Sequence, residues 1–244
     1  MNCNFLKLSP KDIKKTRGFI ALFDILGYRD WIKKNNISKV AIDHKNMKRM
    51  ITTNVENQMN YALQKGIVKV HSYADTFLIY TNEISRKGFA AIMHACRGMF
   101  ESAICFGLPI RGTVTCGYFF ASEDIITGQP LIEAFQKEKE QEWIGCWITD
   151  QCLRNISERE KRKYLESNTV VRYPIPFKKR KVSRVYAYNW VSKAIQNPVD
   201  IDLDYLKERS FLKVRRGHRW PERRKIDNTI IFYKFMAKSH YGRK

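Results

Sequence analysis

The sequence predicts an α+β fold, a mainly antiparallel sheet with helices packed on it, and three observations carry that expectation. Strand-length apolar runs are interleaved with longer segments whose apolar residues recur at helical spacing. Two of the apolar runs, Phe19 to Ile25 and Lys69 to Tyr80, are each interrupted by one aspartate, Asp24 in the first and Asp75 in the second. The chain has 244 residues, 44% of them hydrophobic, which provides for one sizeable core and not for two ordinary domains. The organisation read from composition is an N-terminal extension over 1–17, a single domain over 18–192 and a basic C-terminal extension over 193–244, packed on or flanking the domain.

Residues 1–17 are polar and basic, with Ser9-Pro10 marking a turn. Phe19 to Ile25 is the first strand, and Gly27 permits a sharp exit into the helix start RDWIKKNN. Val40, Met47, Met50, Ile51, Val55, Met59 and Ala62 lie at roughly helical spacing, so Val40 to Ala62 is a long amphipathic helix, ended by Gly66. Ile67 to Val70 and Phe77 to Tyr80 are short strands around SYADT, a hairpin that presents Asp75 at or near its tip. Asn82 to Phe106 is a second long helix, and Pro109 marks its exit. Ile110 to Phe120 is the next strand, after which Pro130 opens the helix LIEAFQKEKEQEW. Trp143 to Ile148 is an apolar strand, followed by a short helix through Cys152 and Leu153. The helices of this βα-ββ-α-β-α-β order are expected on one face of the sheet. Beyond Ser157 the composition turns charged, with one clear strand at Val185 to Trp190 and an apolar stretch, Thr229 to Met236, long enough for one helix or strand.

Lys and Arg number 45 against 24 Asp and Glu, a net charge of +21 that favours polyanionic partners, nucleoside triphosphates and nucleic acid alike. From Lys207 to Lys225 nine basic residues face two acidic ones, with Trp220 and Tyr233 as stacking candidates, so nucleic-acid binding stays open as a less favoured reading. The six cysteines form no CxxC pair and read as small buried hydrophobes. His44, His94, His218 and His240 share no ligand spacing, and neither a P-loop nor a dinucleotide glycine loop is present. No apolar run reaches the roughly 18 residues of a membrane helix, and the start lacks a signal-peptide core, so a cytoplasmic protein is expected.

An ionised carboxylate in an apolar strand is costly enough to call for a cation, a set of hydrogen bonds or protonation. Either aspartate alone reads as a strand-end cap or a turn residue. On adjacent strands, however, the two would meet as hard oxygen ligands suited to Mg²⁺, with water and substrate phosphates completing the shell. Two such ions about 4 Å apart would activate a hydroxyl and neutralise a leaving phosphate.

FDILGY, SYADT, IRGTVTCG and ITGQPLIEAFQKEKEQE, in this order over about residues 17–190, resemble the catalytic domain of class III nucleotide cyclases, most of all the compact bacterial pyrimidine cyclases of the Pycsar anti-phage systems. The resemblance implies the ferredoxin-like cyclase sandwich and a homodimer with sites formed across its interface. It further implies conversion of UTP or CTP to the 3′,5′-cyclic monophosphate and pyrophosphate, the product being read by a separate cyclic-nucleotide-binding effector in antiviral defence. By the same resemblance Asp24, Asp75 and the carbonyl of Ile25 hold two Mg²⁺ or Mn²⁺ ions, and the turn Leu26-Gly27-Tyr28 holds the triphosphate. His71 and Tyr73, on the strand leading to Asp75, would face the base, although Tyr73 reads equally as a cross-strand aromatic. Where adenine-type cyclases carry a lysine this chain has His71, which fits a small base. The asparagine and arginine of larger class III cyclases are replaced by Ile132 and Gln136, so charge stabilisation is expected from Lys137 or Arg111. Arg111 otherwise packs near the dimer seam or pairs with Glu133. A cyclase-like sensor that has lost catalysis is a further reading.

Overall fold

Strand β1 (Thr16–Ile25) is buried along most of its length, as its run of Phe, Ile, Ala and Leu requires, and the sheet is built outward from it. The computed structural model describes residues 15–61, 67–106, 108–122, 124–179, 183–191 and 220–241. On one side β1 pairs with β3 (Thr76–Thr81), beyond which lies β2 (Val68–Tyr73). On the other it pairs with β4 (Ile110–Ala121), and then follow β6 (Gly145–Ile148), β8 (Ser183–Tyr188) and β7 (Val170–Ile175). The two-residue β5 (Ile126–Thr127) pairs with β4 off this path. Among these pairings only β4 with β6 is parallel, so the sheet is mainly antiparallel as expected.

The helical segment after Gly27 divides in two. Helix α1 (Tyr28–Lys34) stops at Asn35, and α2 (Ile37–Tyr61) restarts where the Asn36 side chain accepts the Lys39 N–H at 2.8 Å, a side-chain cap. Helices α2 and α3 (Arg86–Phe106) cover one face of the sheet. On that face Phe89 meets Phe19 with ring centroids 5.4 Å apart, Phe100 meets Phe23 at 5.9 Å, and His44 meets Phe77 at 5.4 Å.

Helix α4 (Gln129–Glu140), opened by Pro130 as expected, lies on the opposite face and not with the others. Strand alternation dictates this. Val114 and Cys116 point into the main core, whereas Arg111, Thr113 and Thr115 point the other way. There they bond Glu138, the Gln141 side chain and the Pro130 carbonyl of α4 and its end.

Beyond β6 come α5 (Asp150–Arg154) and α6 (Glu158–Glu166). The charged segment after Ser157 is a helix with a full capping box between Ser157 and Glu160, a signature legible as S-x-x-E but hidden by the charge around it. β7 escaped the sequence pattern because it carries Arg172 and Pro174. It lies at the sheet's edge, bonded among the described strands to β8 alone, where proline is tolerated. The apolar stretch Thr229 to Met236 falls inside α7 (Trp220–Tyr241), whose Ile226, Phe232 and Met236 are buried in the main core. Phe232 sits against Trp143 at 4.9 Å and Tyr173 at 4.7 Å.

Four of the cysteines, Cys96, Cys116, Cys146 and Cys152, are free thiols buried as expected. Residues 1–14, Gly66 and the basic stripe from 207 to 219 lie outside the described residues; Arg224 and Lys225 of that stripe are on α7, and Tyr233 is packed against the core. No described helix is long and apolar enough to cross a membrane.

Candidate active site

The two aspartates meet. β1 ends with Asp24 and Ile25, and β3 begins at Thr76, the cross-strand partner of Asp24. The intervening hairpin turn is Ala74-Asp75, with Ala74 in the left-handed region at φ 46°, and the Ile25 N–H donates to the Asp75 carbonyl at 2.9 Å. Backbone bonding therefore brings the two residues to one end of the sheet, near enough for the Asp75 charge to act on Asp24. Asp24 is half-buried, and its pKa is pushed up to about 7, first by burial, then by Glu138 and by Asp75, against the opposing charges of Arg111 and Lys225. No hydrogen bond to the Asp24 carboxylate is made among the described residues, and Asp75 accepts only a long one, 3.4 Å, from Thr76 Oγ1.

This donor set fits a hard divalent cation. The charge of Asp75 adds to the proton affinity of Asp24, a penalty that a cation would relieve, although among the described residues no group of three or more His, Cys, Asp or Glu is placed to hold a metal ion. The Ile25 carbonyl, water and phosphate would complete the shell in the way usual for Mg²⁺.

Beyond Ile25 the turn runs through Leu26, whose N–H is already committed to the Pro109 carbonyl at 2.8 Å. Gly27 follows at φ 76°, a conformation that favours glycine, with open space where a Cβ would project. The phenol of Tyr28 lies near enough to Asp75 for that carboxylate, after burial, to raise its pKa.

A straight row of cross-strand partners carries the aspartate across five strands: Tyr73, Thr76, Asp24, Arg111 and Gly145. Tyr73 is 80% exposed on the same face as Asp24. His71 lies two rows further in, its ring stacked on Tyr80 at 5.7 Å, and its pKa is lowered by burial and then by Lys48 and Lys69. Arg111 is 4% exposed and fully engaged: Nε and Nη2 donate to the Glu138 carboxylate and Nη1 to the Gln141 carbonyl at 2.7 Å. Its carboxylate partner is therefore Glu138 and not Glu133, because Glu138 is on the buried side of α4 whereas Glu133 sits 3.7 Å from Lys137. Lys137 Nζ lies 4.1 Å over the ring of Trp147 on β6, two strands from β1 or roughly 10 Å away. Ile132 and Gln136 are exposed.

Neither a family model nor a curated protein matches this sequence. Among solved structures, the chain resembles the guanylate cyclase domain of RhGC from Catenaria anguillulae, in complex with GTP, with a TM-score of 0.52 and 10% identity over 72% of this chain and 98% of that one. It also resembles an adenylate cyclase from Trypanosoma brucei, in its monomeric state, with a TM-score of 0.50 and 14% identity over 72% and 89%. The chain has the class III cyclase fold.

On this cyclase fold the structure brings Asp24, Ile25, Asp75, Tyr73 and Arg111 to one end of the sheet and leaves Lys137 away from them. Sequence reasoning missed Glu138 and Gln141. Their signal was periodic: Ala134, Glu138 and Gln141 follow one inward stripe of α4 at i, i+4 and i+7. It also missed Lys225, for which no local pattern points at Asp24.

Proposed function

We propose that this chain is a nucleotidyl cyclase that converts UTP or CTP to the 3′,5′-cyclic monophosphate and pyrophosphate. The observation that carries the reading is the meeting of Asp24 and Asp75 at neighbouring strand ends, tied by the 2.9 Å bond from the Ile25 N–H to the Asp75 carbonyl. On this reading Asp24, Asp75 and the Ile25 carbonyl hold two Mg²⁺ or Mn²⁺ ions. The ions supply charge neutralisation on the phosphates and acidify the ribose 3′-hydroxyl for in-line attack on the α-phosphorus.

The chain's own residues position the substrate. The open turn at Gly27 and Tyr28 receives the triphosphate, while the N–H of Leu26 stays with Pro109 and holds the turn in shape. Tyr73, in the row of Asp24, and His71, two rows in, line the path to the base. Neither offers the ammonium of an adenine-selecting lysine, which supports a pyrimidine. Ile132 and Phe135, exposed one turn apart on α4, support a second copy of the chain as the dimer partner. The resemblance to Pycsar cyclases supports a product read by a separate effector in anti-phage defence.

Purified protein with Mn²⁺ or Mg²⁺ and each of the four nucleoside triphosphates should release pyrophosphate and a cyclic monophosphate from UTP or CTP, and Asp24→Ala should abolish it. Product from ATP or GTP alone would overturn the pyrimidine assignment. No product from any of the four, with Asp24→Ala indistinguishable from wild type, would sink the cyclase reading.

A further inference from the structure

Helices α1 and α2 carry a surface patch that the candidate site does not use. Ile37 is 74% exposed, Ile42 58% and Ile32 37%. One exposed isoleucine is ordinary, but several together beside cations mark a contact surface. On α2 the exposed residues Ile37, Ser38, Ala41, Ile42, Lys45 and Arg49 recur at helical spacing and form one outward stripe, away from the side on which Val40 and Met47 are buried. The stripe is apolar toward the start of the helix and basic one to two turns on. Lys48 of α2 and Arg29 and Lys33 of α1 are exposed as well. Among the described side chains of the two helices the one acid, Asp43, is taken up by Lys39, and neither Lys45 nor Arg49 makes an ion pair with a described residue.

The inner side of α2 meets the sheet through His44 and Phe77, on the face opposite α4. A dimer formed through Ile132 and Phe135 of α4 would therefore leave the stripe facing outward. Its charge argues against self-association, because a symmetric contact would set Lys45 and Arg49 against their own counterparts. Nucleic acid would use the cations and gain nothing from the isoleucines. An anionic bilayer uses both: aliphatic side chains enter the boundary of headgroups and acyl chains, while ammonium and guanidinium groups stay among the phosphates.

We propose that α1 and the start of α2 dock this protein on an anionic lipid surface, with Ile32, Ile37 and Ile42 entering the headgroup layer and Lys45 and Arg49 contacting its phosphates. The contact is peripheral, and it is independent of the cyclase reading because none of these residues belongs to the candidate site.

Cosedimentation of the full chain with vesicles tests this, using equimolar phosphatidylglycerol and phosphatidylcholine against phosphatidylcholine alone at roughly 0.1 M salt. Tm and oligomeric state are recorded for every variant, and Tm should not move because the substituted side chains are exposed. Wild type should bind the first vesicles and not the second. The double variant Ile37→Ser, Ile42→Ser should bind about tenfold more weakly. Lys45→Gln with Arg49→Gln should lose about thirtyfold, near fivefold for each cation at an anionic surface. Ile231→Ser, exposed on α7, should change nothing. Wild type that binds neither vesicle would overturn the proposal. So would binding that survives the serine substitutions and is displaced by a short DNA duplex, which would assign the cations to polyanions at large. A changed oligomeric state in the serine variants, with vesicle binding intact, would make this face a contact between protein chains and overturn the lipid assignment.

Discussion

At Asp24 the protein carries a carboxylate that its own fold opposes. The folded pKa of about 7 stands above the ordinary 3.8, so the folded state binds this proton more tightly than the unfolded one. The stability contributed by that proton is complete below about pH 4 and is lost as pH rises through 7. In EDTA, Asp24→Asn is therefore expected to exceed wild type by about 1 kcal/mol at pH 8, a figure discounted for the screening of a half-exposed group, with the gap closing toward pH 4. Thermal melts at the two pH values check it. Ala74 is a second strained residue: an L side chain at φ 46° costs about 1 kcal/mol, so Ala74→Gly should stabilise the hairpin by up to that amount in urea titrations. Both aspartates were legible from sequence because a lone charge in an apolar run has few explanations. The partner of Arg111 was not, since choosing Glu138 over Glu133 needs the rotation of α4 about its axis.

Among the elements, α4 and β4 show how a polar clamp sits under a helix. Arg111 and Glu138 are both nearly inaccessible, and Gln141 adds bonds from its amide to the Gly112 carbonyl and Thr113 Oγ1 while accepting from Trp143 Nε1 at 2.8 Å. Arg111→Met should cost about 3–5 kcal/mol by stranding the Glu138 charge, and adding Glu138→Leu should recover most of it. Chemical denaturation of the two single variants and the double variant measures the coupling. Elements with long clean periods, α2, α3 and β4, were readable to within a few residues. Which face a helix covers was not, because periodicity gives the helix a buried side without naming what buries it, and α4 settled on the face opposite α2 and α3.

For the whole molecule, the main core runs from β1 to α7 without a break, so a C-terminal segment that composition marks as an extension contributes Ile226, Phe232 and Met236 to the same interior. Phe232→Ala, which empties the space among Trp143, Tyr173 and Trp190, should cost about 3–5 kcal/mol. Intrinsic tryptophan fluorescence should follow that unfolding as a single transition. The sequence reading allowed this segment to pack on the domain but not to say where, since the hydrogen bonds that fix it join residues 85 and 86 positions apart.

The row from Tyr73 to Gly145 has one more effect, on folding fidelity. Side chains alternate along a strand, so a slip of one residue between β1 and its neighbours would turn Asp24 into the packed interior beside Phe100 and push Phe23 into water. A misaligned chain would lose an aromatic contact and gain an unpaired buried charge together. The acidic group that burdens the correct structure thus burdens the wrong one more, and serves as a proofreading mark for strand alignment.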